Sequence, residues 1–315
     1  MMKRFGLIGV AGYIAPRHIV AIKETNNQLI VGMDVNDSVG LLDSFFPEAE
    51  FFTEFEMFAA FLSDEKLAGR SFDFIAICSP NHLHVPHIKF AISNGVNVIC
   101  EKPLVLHASD LNIISSYEKI YGAKVNTILQ LRLHPSILSM RQKVLSSSSN
   151  KAFDVELTYI TCRGKWYAES WKGFEEKSGG VATNIGIHLF DMLNFIFGTP
   201  LHHEVHYRDL STISGRSHYK QATVNWFLSI SRKHLPMSAV EDEKSTYRSI
   251  TIDGEDIEFS NGFTDLHTES YVNILSGNGY GVEANKGAIE TVEHVRKAEI
   301  VGYPNLPHSF LKSDA

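Results

Sequence analysis

The N-terminal part of the chain alternates between short apolar runs and segments with a helical period. Apolar runs rich in Ile and Val lie at residues 5–10, 29–33, 74–78 and 96–100, and a helical pattern over 85–93 separates the last two. Short apolar runs joined by helices are typical of parallel strands that are buried on both faces. The pattern therefore predicts an α/β domain with a parallel sheet over residues 1–128.

The pattern changes beyond about residue 130. Strand-like segments follow at residues 153–162, 221–229 and 248–252, and no comparable parallel pattern joins them. This arrangement indicates a separate, mainly antiparallel sheet. Because a chain of 315 residues is long enough for two cores, we expect a second α/β domain with a large, mainly antiparallel sheet over residues 129–315.

Composition narrows the range of partners. With a net charge of −7, the chain lacks the clustered Lys and Arg that nucleic-acid phosphates require, so we expect no nucleic-acid partner. The apolar runs are too short to cross a bilayer, and the glycine-containing N-terminus fits a first strand and turn better than a signal peptide. Three cysteines without Cys-x-x-Cys spacing favour a reduced, cytoplasmic protein.

A glycine turn follows the first predicted strand and precedes a helical pattern. Gly9 suits a tight turn, Gly12 lets a pyrophosphate approach the backbone, and Ala15 allows close packing of the helix. The usual dinucleotide fingerprint has glycines at the first, third and sixth positions, so this turn departs from the strict pattern. Tyr13 and Ile14 lie in the same turn, and we expect both to contact the cofactor.

An acidic residue follows the second predicted strand. Asp34 lies about 20 positions after Gly12, the interval at which a carboxylate binds the adenosine ribose hydroxyls. Its charge would repel a 2′-phosphate, which favours NAD over NADP. The alternative is that Asp34 only caps its own loop.

Two further segments follow the third and fourth predicted strands. Ser79, Asn81 and His84 would line the nicotinamide side of the cofactor site, and Asn81 could also cap the next helix. The fourth strand ends at Glu101 and Lys102, which precede a proline. Ligands of such sheets bind at the carboxyl ends of the strands, so both residues are assigned to the cofactor site and Lys102 also to catalysis. The alternative is a solvated charge pair.

The segment after a glycine pair at residues 179–180 holds the main candidates for proton transfer. Asn184 and His188 are four positions apart and would share one face of a helix, with Thr183 beside them. Histidine titrates in the range that an alcohol oxidation needs, and Asp191 could orient its ring. The alternative is a core histidine bonded to Asp191. No third ligand lies at a suitable interval for zinc, so we expect no metal site.

A stretch just upstream mixes cations, aromatic rings and hydroxyl groups. Such groups can pair with carboxylate or phosphate and stack on a sugar or base, which suits an anionic sugar nucleotide. The same composition is also typical of an oligomer interface. The substrate-binding candidates here are Arg163, Lys165, Tyr167 and Ser170.

Taken together, these motifs resemble the Gfo/Idh/MocA oxidoreductases over nearly the whole chain. The resemblance implies a Rossmann domain followed by a C-terminal α/β domain with an open sheet, a nicotinamide cofactor and oxidation or reduction of sugars. It also implies that Lys102 and His188 are catalytic and bind substrate. The family usually has an aspartate where this chain has Asn184. Because a neutral amide cannot act as a base, this departure shifts proton transfer toward His188 and Lys102.

Four stretches are more specific, at residues 9–18, 43–56, 166–173 and 178–188. They resemble the members that oxidise the 3-hydroxyl of UDP-N-acetylglucosaminuronate in bacterial surface-polysaccharide synthesis, including lipopolysaccharide O-antigen. In some of these members 2-oxoglutarate regenerates bound NAD, which makes it a second candidate partner. The resemblance also implies a homodimer or homotetramer. Alternatives are a dehydrogenase of a free sugar or inositol and a sensor without turnover.

Overall fold

The computed structural model describes residues 2–148, 151–257, 265–302 and 307–314. Contacts between residues divide the chain into two compact units, of which the first comprises residues 1–130 and 264–286. The second unit comprises residues 131–263 and 287–315. No pattern in the sequence indicates that residues 264–286 return to the first unit. The domain boundary at residues 128 and 129 stays a prediction.

A six-stranded parallel sheet forms the centre of the first unit. Its strands are β1 (Arg4–Ile8), β2 (Gln28–Met33), β3 (Glu50–Phe52), β4 (Phe74–Ile77), β5 (Asn97–Cys100) and β6 (Val125–Thr127). They lie in the order β3-β2-β1-β4-β5-β6, which is the order of a Rossmann fold. The predicted parallel sheet is therefore confirmed. Strands β3 and β6 have three residues each, which is too short for a periodic signal.

Helices follow the strands of this sheet, and one helix comes from the distant segment. They are α1 (Ala15–Glu24), α2 (Leu41–Phe45), α3 (Phe55–Leu67), α4 (His84–Ser93), α5 (Ala108–Tyr121) and, after six helices of the second unit, α12 (Leu266–Leu275). Tyr271 and Ile274 of α12 join the buried core formed by β1 and α1, and the rings of Tyr271 and Phe5 stack at 5.9 Å. Apolar burial thus holds the returning segment on the sheet.

The second unit is built on a mixed sheet. Its strands are β7 (Phe153–Thr161), β8 (His202–Arg208), β9 (Thr212–His218), β10 (Ala222–Ser229), β11 (Thr246–Ile252) and β12 (Glu255–Asp256). They lie in the order β12-β11-β7-β10-β9-β8, so β12 and β8 are its edges. Only β7 and β10 pair in parallel among the described strands of this sheet, which confirms the prediction of a mainly antiparallel sheet.

The remaining helices belong to the second unit. They are α6 (Pro135–Ser146), α7 (Lys165–Glu169), α8 (Glu175–Ser178), α9 (Gly180–Asn184), α10 (Ile187–Phe197), α11 (Met237–Glu241) and α13 (Lys286–Lys297). Short 3-10 helices occur in both units and span Asn81–Leu83, Gln130–Leu133, Trp171–Gly173, Arg232–His234, Val282–Asn285 and Ser309–Asp314. Helix α10 covers the sheet, and Phe190 meets the fully buried Trp226 edge to face at 5.3 Å.

Among the described helices, no single one is long and apolar enough to cross a bilayer. One bent pair, Glu175–Asn184 with Ile187–Phe197, reaches the required length and composition, with 47° between its halves.

The close approach of Trp226 to β9 depends on a glycine. A Cβ at Gly215 would overlap the carbonyl oxygen of Glu204 and lie 2.5 Å from Cζ2 of Trp226. We therefore expect Gly215→Ala to lower the free energy of unfolding by about 3 kcal/mol, as overpacking does in dense cores. The control is Gly40→Ala, since Gly40 has φ −54° and no atom near its added Cβ. Equal urea midpoints for the two variants would contradict this account.

Candidate active site

The glycine turn after β1 passes against the end of β4. Gly9 has φ +87°, and its N–H donates to the Met33 carbonyl at 2.7 Å. A Cβ at Gly9 would lie 2.6 Å from the Cys78 carbonyl carbon, and one at Gly12 would lie 3.0 Å from the Gly9 oxygen. The turn therefore has room for hydrogen only, because a side chain would displace the neighbouring backbone.

The N-terminus of α1 lies directly after this turn. Ile14 occupies the N-cap position without a side-chain hydrogen bond, and the Tyr13 side chain is 93% exposed. A helix end without a capping side chain presents the positive end of the helix dipole to an anion. The turn and the helix end together fit the pyrophosphate of a dinucleotide. The cofactor contacts of Gly9, Gly12, Tyr13 and Ile14 themselves stay predictions.

Asp34 follows β2 beside the glycine turn. Its Oδ2 accepts from the Ala11 N–H at 3.0 Å, and its Oδ1 accepts from the Asn36 N–H at 3.0 Å. The carboxylate thus orders its own loop, as the alternative interpretation expected, and also fixes the glycine turn. It remains partly exposed, so binding of ribose hydroxyls stays a prediction.

The loop after β4 is tied to the loop after β5 by His84. This residue is fully buried, and its Nδ1 and Nε2 lie 2.7 Å and 2.9 Å from the carbonyl oxygens of Pro103 and Ser79. Burial lowers the pKa of His84. Asn81 is buried in the 3-10 helix, and Leu83 takes the N-cap position of α4 without a side-chain bond, so the predicted cap by Asn81 is wrong.

Glu101 and Lys102 lie at the carboxyl end of β5, as predicted. Lys102 is half-buried, and its peptide bond to Pro103 is cis. Oε1 of Glu101 lies 2.9 Å from Nε2 of His18 and 3.0 Å from Nε2 of His267, while Oε2 accepts from the Lys102 N–H at 3.2 Å. The carboxylate is therefore engaged by groups of the protein, and a direct cofactor contact of Glu101 stays a prediction.

The predicted continuous helix through Thr183, Asn184 and His188 is wrong. Asn184 ends α9, and His188 lies in the first turn of α10. The break falls at Gly186, where a Cβ would lie 2.5 Å from the Ala182 carbonyl oxygen and 2.6 Å from Leu228 of β10. The spacing argument for one shared helix face therefore fails, and His188 is presented by a helix start.

Thr183 is fully buried against the glycine pair. A Cβ at Gly179 would lie 2.5 Å from the Thr183 Cβ, and both Gly179 and Gly180 have positive φ. Within the described residues, the Thr183 Oγ1 has no hydrogen-bond partner. Its assignment to substrate binding stays a prediction.

Asp191 has a different partner from the one expected. Its Oδ1 and Oδ2 accept from Nη2 and Nε of Arg132 at 2.6 Å and 3.0 Å. Burial raises the pKa of Asp191, and the ion pair with Arg132 opposes that rise. The pair anchors the helix that carries His188. Sequence reasoning missed Arg132, because no local pattern links two residues so far apart in the chain.

The stretch before the glycine pair is partly helical. Nδ2 of Asn184 donates to the Tyr167 hydroxyl at 2.8 Å, and the Arg163 guanidinium lies 5.9 Å from the Tyr167 ring centre. Burial raises the pKa of Tyr167, so its hydroxyl stays protonated. The Ser170 hydroxyl bonds the Tyr167 carbonyl at 3.0 Å, whereas Lys165 is exposed at the start of α7.

The first unit thus combines a Rossmann sheet with a glycine turn and an uncapped helix end. These features define a dinucleotide-binding α/β protein. The second unit adds a half-buried histidine at a helix start and a hydrogen-bonded Asn–Tyr pair. The histidine is suited to deprotonating a polar substrate, and the Asn–Tyr pair is suited to hydrogen bonding with it.

Comparison with known proteins identifies the family. A model of the Gfo/Idh/MocA oxidoreductase family with an NAD-binding Rossmann fold matches residues 3–127, and a model of its C-terminal alpha/beta domain matches residues 151–228. A crystal structure of the WlbA (WbpB) dehydrogenase from Thermus thermophilus, in complex with NAD and alpha-ketoglutarate, is 48% identical with a TM-score of 0.94. The match covers 98% of this chain and 100% of that chain.

Two further relatives widen the comparison. The same Thermus thermophilus dehydrogenase in complex with NAD and UDP-GlcNAcA is 47% identical, with a TM-score of 0.93 over the same 98% and 100% of the two chains. Glucose-6-phosphate 3-dehydrogenase of Bacillus subtilis (strain 168) is 23% identical over 62% of this chain, and the chain spans 54% of that relative's length. The chain belongs to the Gfo/Idh/MocA oxidoreductase family and is an NAD-dependent enzyme.

The buried ion pair of Arg132 and Asp191 generates a stability prediction. Arg132→Met leaves a buried carboxylate without its partner and should cost about 3 kcal/mol of unfolding free energy at neutral pH. The loss should be smaller near about pH 5 than about pH 8, because Asp191 can take up a proton at the lower pH. Urea titrations measure both values.

The exposed pair of Lys244 and Asp242 supplies the control, with Nζ and Oδ2 at 2.7 Å. Lys244→Met should cost less than about 1 kcal/mol. A loss for Arg132→Met as small as that control would show that the buried pair does not anchor α10.

The position of Asp34 generates a cofactor prediction. Asp34→Asn removes the charge and keeps one of the two oxygens that accept from the Ala11 and Asn36 N–H groups. We expect NADP affinity to rise by about tenfold and NAD affinity to change by less than that, since one repulsive charge is lost. Calorimetric titration with both cofactors measures this, with Asp37→Asn as the nearby exposed control. No gain for NADP would leave Asp34 as a loop cap only.

Proposed function

We propose that this enzyme oxidises the 3-hydroxyl of UDP-N-acetylglucosaminuronate (UDP-GlcNAcA) to a 3-keto sugar with NAD. The observation that carries the proposal is the 47% identity over 98% of the chain to the Thermus thermophilus dehydrogenase in complex with NAD and UDP-GlcNAcA. The chain also holds Lys102 at the end of β5 and His188 at the start of α10, which supports a catalytic role.

NAD supplies the hydride acceptor when it is bound. The glycine turn and the α1 N-terminus would hold its pyrophosphate, and Asp34 its adenosine ribose. His188 takes the proton of the 3-hydroxyl, because imidazole is basic enough near neutral pH. Lys102 donates a hydrogen bond to the same oxygen and stabilises the charge that develops there.

The second unit supplies the groups that would bind the sugar nucleotide. Because the Asn184 amide donates to the Tyr167 hydroxyl, that hydroxyl keeps its own proton for a substrate oxygen. Thr183 and Asn184 position the sugar. Arg163 and Lys165 are exposed cations that pair with its carboxylate and diphosphate, and Ser170 holds the stretch that presents them.

The proposal extends to how the enzyme works in the cell. By analogy with the complex of NAD and alpha-ketoglutarate in the Thermus thermophilus protein, 2-oxoglutarate reoxidises the bound NADH. The 3-keto product then serves surface-polysaccharide synthesis, including lipopolysaccharide O-antigen. The three free cysteines, Cys78, Cys100 and Cys162, support a reducing, cytoplasmic setting. The enzyme assembles as a homodimer or homotetramer.

The direct test follows absorbance in the reduced-nicotinamide band. Adding UDP-GlcNAcA to the purified protein should raise this absorbance, and 2-oxoglutarate should then reverse it. Lys102→Met and His188→Asn should each lower turnover by about 10²–10⁴-fold without loss of bound NAD, since acid–base and electrostatic groups contribute on that scale. Lys244→Met and His202→Asn change exposed residues of the same types and should keep full turnover.

Each alternative result would change a different part of the proposed function. A rise in absorbance that 2-oxoglutarate does not reverse would exclude the recycling of NADH but support the dehydrogenase activity. Turnover of free sugars or inositol in place of UDP-GlcNAcA would overturn the substrate. Ligand binding without any absorbance change would favour a sensor.

A further inference from the structure

A buried cluster of side chains surrounds Glu101, the residue that precedes Lys102. The Glu101 carboxylate, 6% exposed, is held by His18 of α1 and His267 of α12, and Nδ1 of His18 lies 2.7 Å from the Tyr271 hydroxyl. His18 and Tyr271 are fully buried, and His267 is nearly so. Three elements of the first unit therefore meet at one carboxylate.

The hydrogen bonds define where the protons lie. Oε1 of Glu101 accepts from Nε2–H of both histidines, and Oε2 accepts from the Lys102 N–H. With Nε2–H on His18, its Nδ1 accepts from the Tyr271 hydroxyl, whose pKa is raised well above its usual value by burial. Among the described residues, Nδ1 of His267 has no hydrogen-bond partner.

The Glu101 carboxylate therefore holds a negative charge in a buried environment. Burial alone would raise the pKa of Glu101, but the hydrogen bonds from His18 and His267 hold it well below its usual value. An ionised carboxylate at this depth is costly unless donors compensate it. The other titratable groups that face it electrostatically are Cys78 of the loop after β4, Cys100 of β5, His84 of α4 and Tyr271 of α12, beside the adjacent Lys102.

The same three residues have the types and spacing of metal ligands. Their ligand atoms all lie within 4.8 Å of one another. The contacts of 2.9 Å and 3.0 Å between nitrogen and oxygen are hydrogen-bond lengths. The Lys102 N–H and the Tyr271 hydroxyl continue the same network, so a hydrogen-bonded cluster accounts for the geometry without an ion.

We propose that His267 is a positioning residue for the reaction: it keeps the Glu101 carboxylate ionised and bonded to the Lys102 backbone, and so fixes the place and electrostatic setting of the Lys102 amine. The proposal rests on the catalytic role of Lys102 in the proposed function. It gives the returning segment that carries α12 a part in catalysis. His18 is a second donor to the same oxygen.

The test compares His267→Leu with His267→Gln. Leucine fills the space without a donor, whereas the glutamine amide can replace the Nε2–H. Without the donor, Glu101 takes up a proton at higher pH. The acid limb of the kcat profile should therefore move up by about 1–2 pH units in His267→Leu, and His267→Gln should restore it. A purely structural role would lower kcat equally at every pH.

His308 provides a matched control in the second unit. It is buried, and its Nε2 lies 3.1 Å from the Leu157 carbonyl oxygen. His308→Leu also loses a buried hydrogen bond, so it should lose stability. The acid limb of its kcat profile should match that of the wild type. An equal shift in His308→Leu and His267→Leu would overturn the proposal.

A second readout does not depend on the substrate. Infrared difference spectra between about pH 5 and about pH 7 should show more protonated carboxyl in His267→Leu than in the wild type, by one group. This additional band should be lost in the His267→Leu, Glu101→Gln double variant. If UDP-GlcNAcA is not oxidised but this additional band appears, the proposed function fails, while the part of the inference that His267 keeps Glu101 ionised stands.

Two results would overturn the proposal while leaving the proposed function intact. One is a His267→Leu variant with normal turnover, an unshifted acid limb of the kcat profile and no additional infrared band of a protonated carboxyl group. The other is a stoichiometric metal ion in the purified protein that is lost in His267→Leu, measured by elemental analysis. Such an ion would replace the hydrogen-bonded cluster by a metal site.

Discussion

The first unit depends on the hydrogen bonds that surround one buried carboxylate. Glu101 is buried at the end of β5, and an ionised group there is stable only when several donors surround it. Two of those donors, His18 and His267, come from helices that are far apart in the chain. The sheet, α1 and α12 are thus held in one arrangement by a polar constraint as well as by apolar packing.

This constraint also orders the groups that lie at the carboxyl ends of the strands. His84 reaches the Pro103 carbonyl from the loop after β4, and Glu101 accepts from the Lys102 backbone. The glycine turn after β1 passes so close to the end of β4 that no side chain fits. The loops that carry the candidates of the first unit are therefore held by hydrogen bonds and close packing, which lowers the cost of orienting them for reaction.

Part of this could be predicted from local patterns, and most of the failures at the site share one cause. The period of apolar residues indicated β1, β2, β4 and β5 of the first sheet and β7, β10 and β11 of the second, and position at a strand end singled out Lys102. The partner of Asp191, the return of residues 264–286 and the second donor to Glu101 depend on contacts between distant parts of the chain. The break at Gly186 likewise reflects contact with Leu228, which helical spacing does not encode.

The central claim is that carbon 3 of the sugar loses its hydrogen to the nicotinamide. The most direct measurement incubates the NAD-loaded enzyme with UDP-GlcNAcA that carries deuterium at carbon 3 and weighs the released cofactor by mass spectrometry. The account predicts one deuterium in each NADH formed and a slower single turnover than with the unlabelled sugar. Reduced cofactor without deuterium would contradict it.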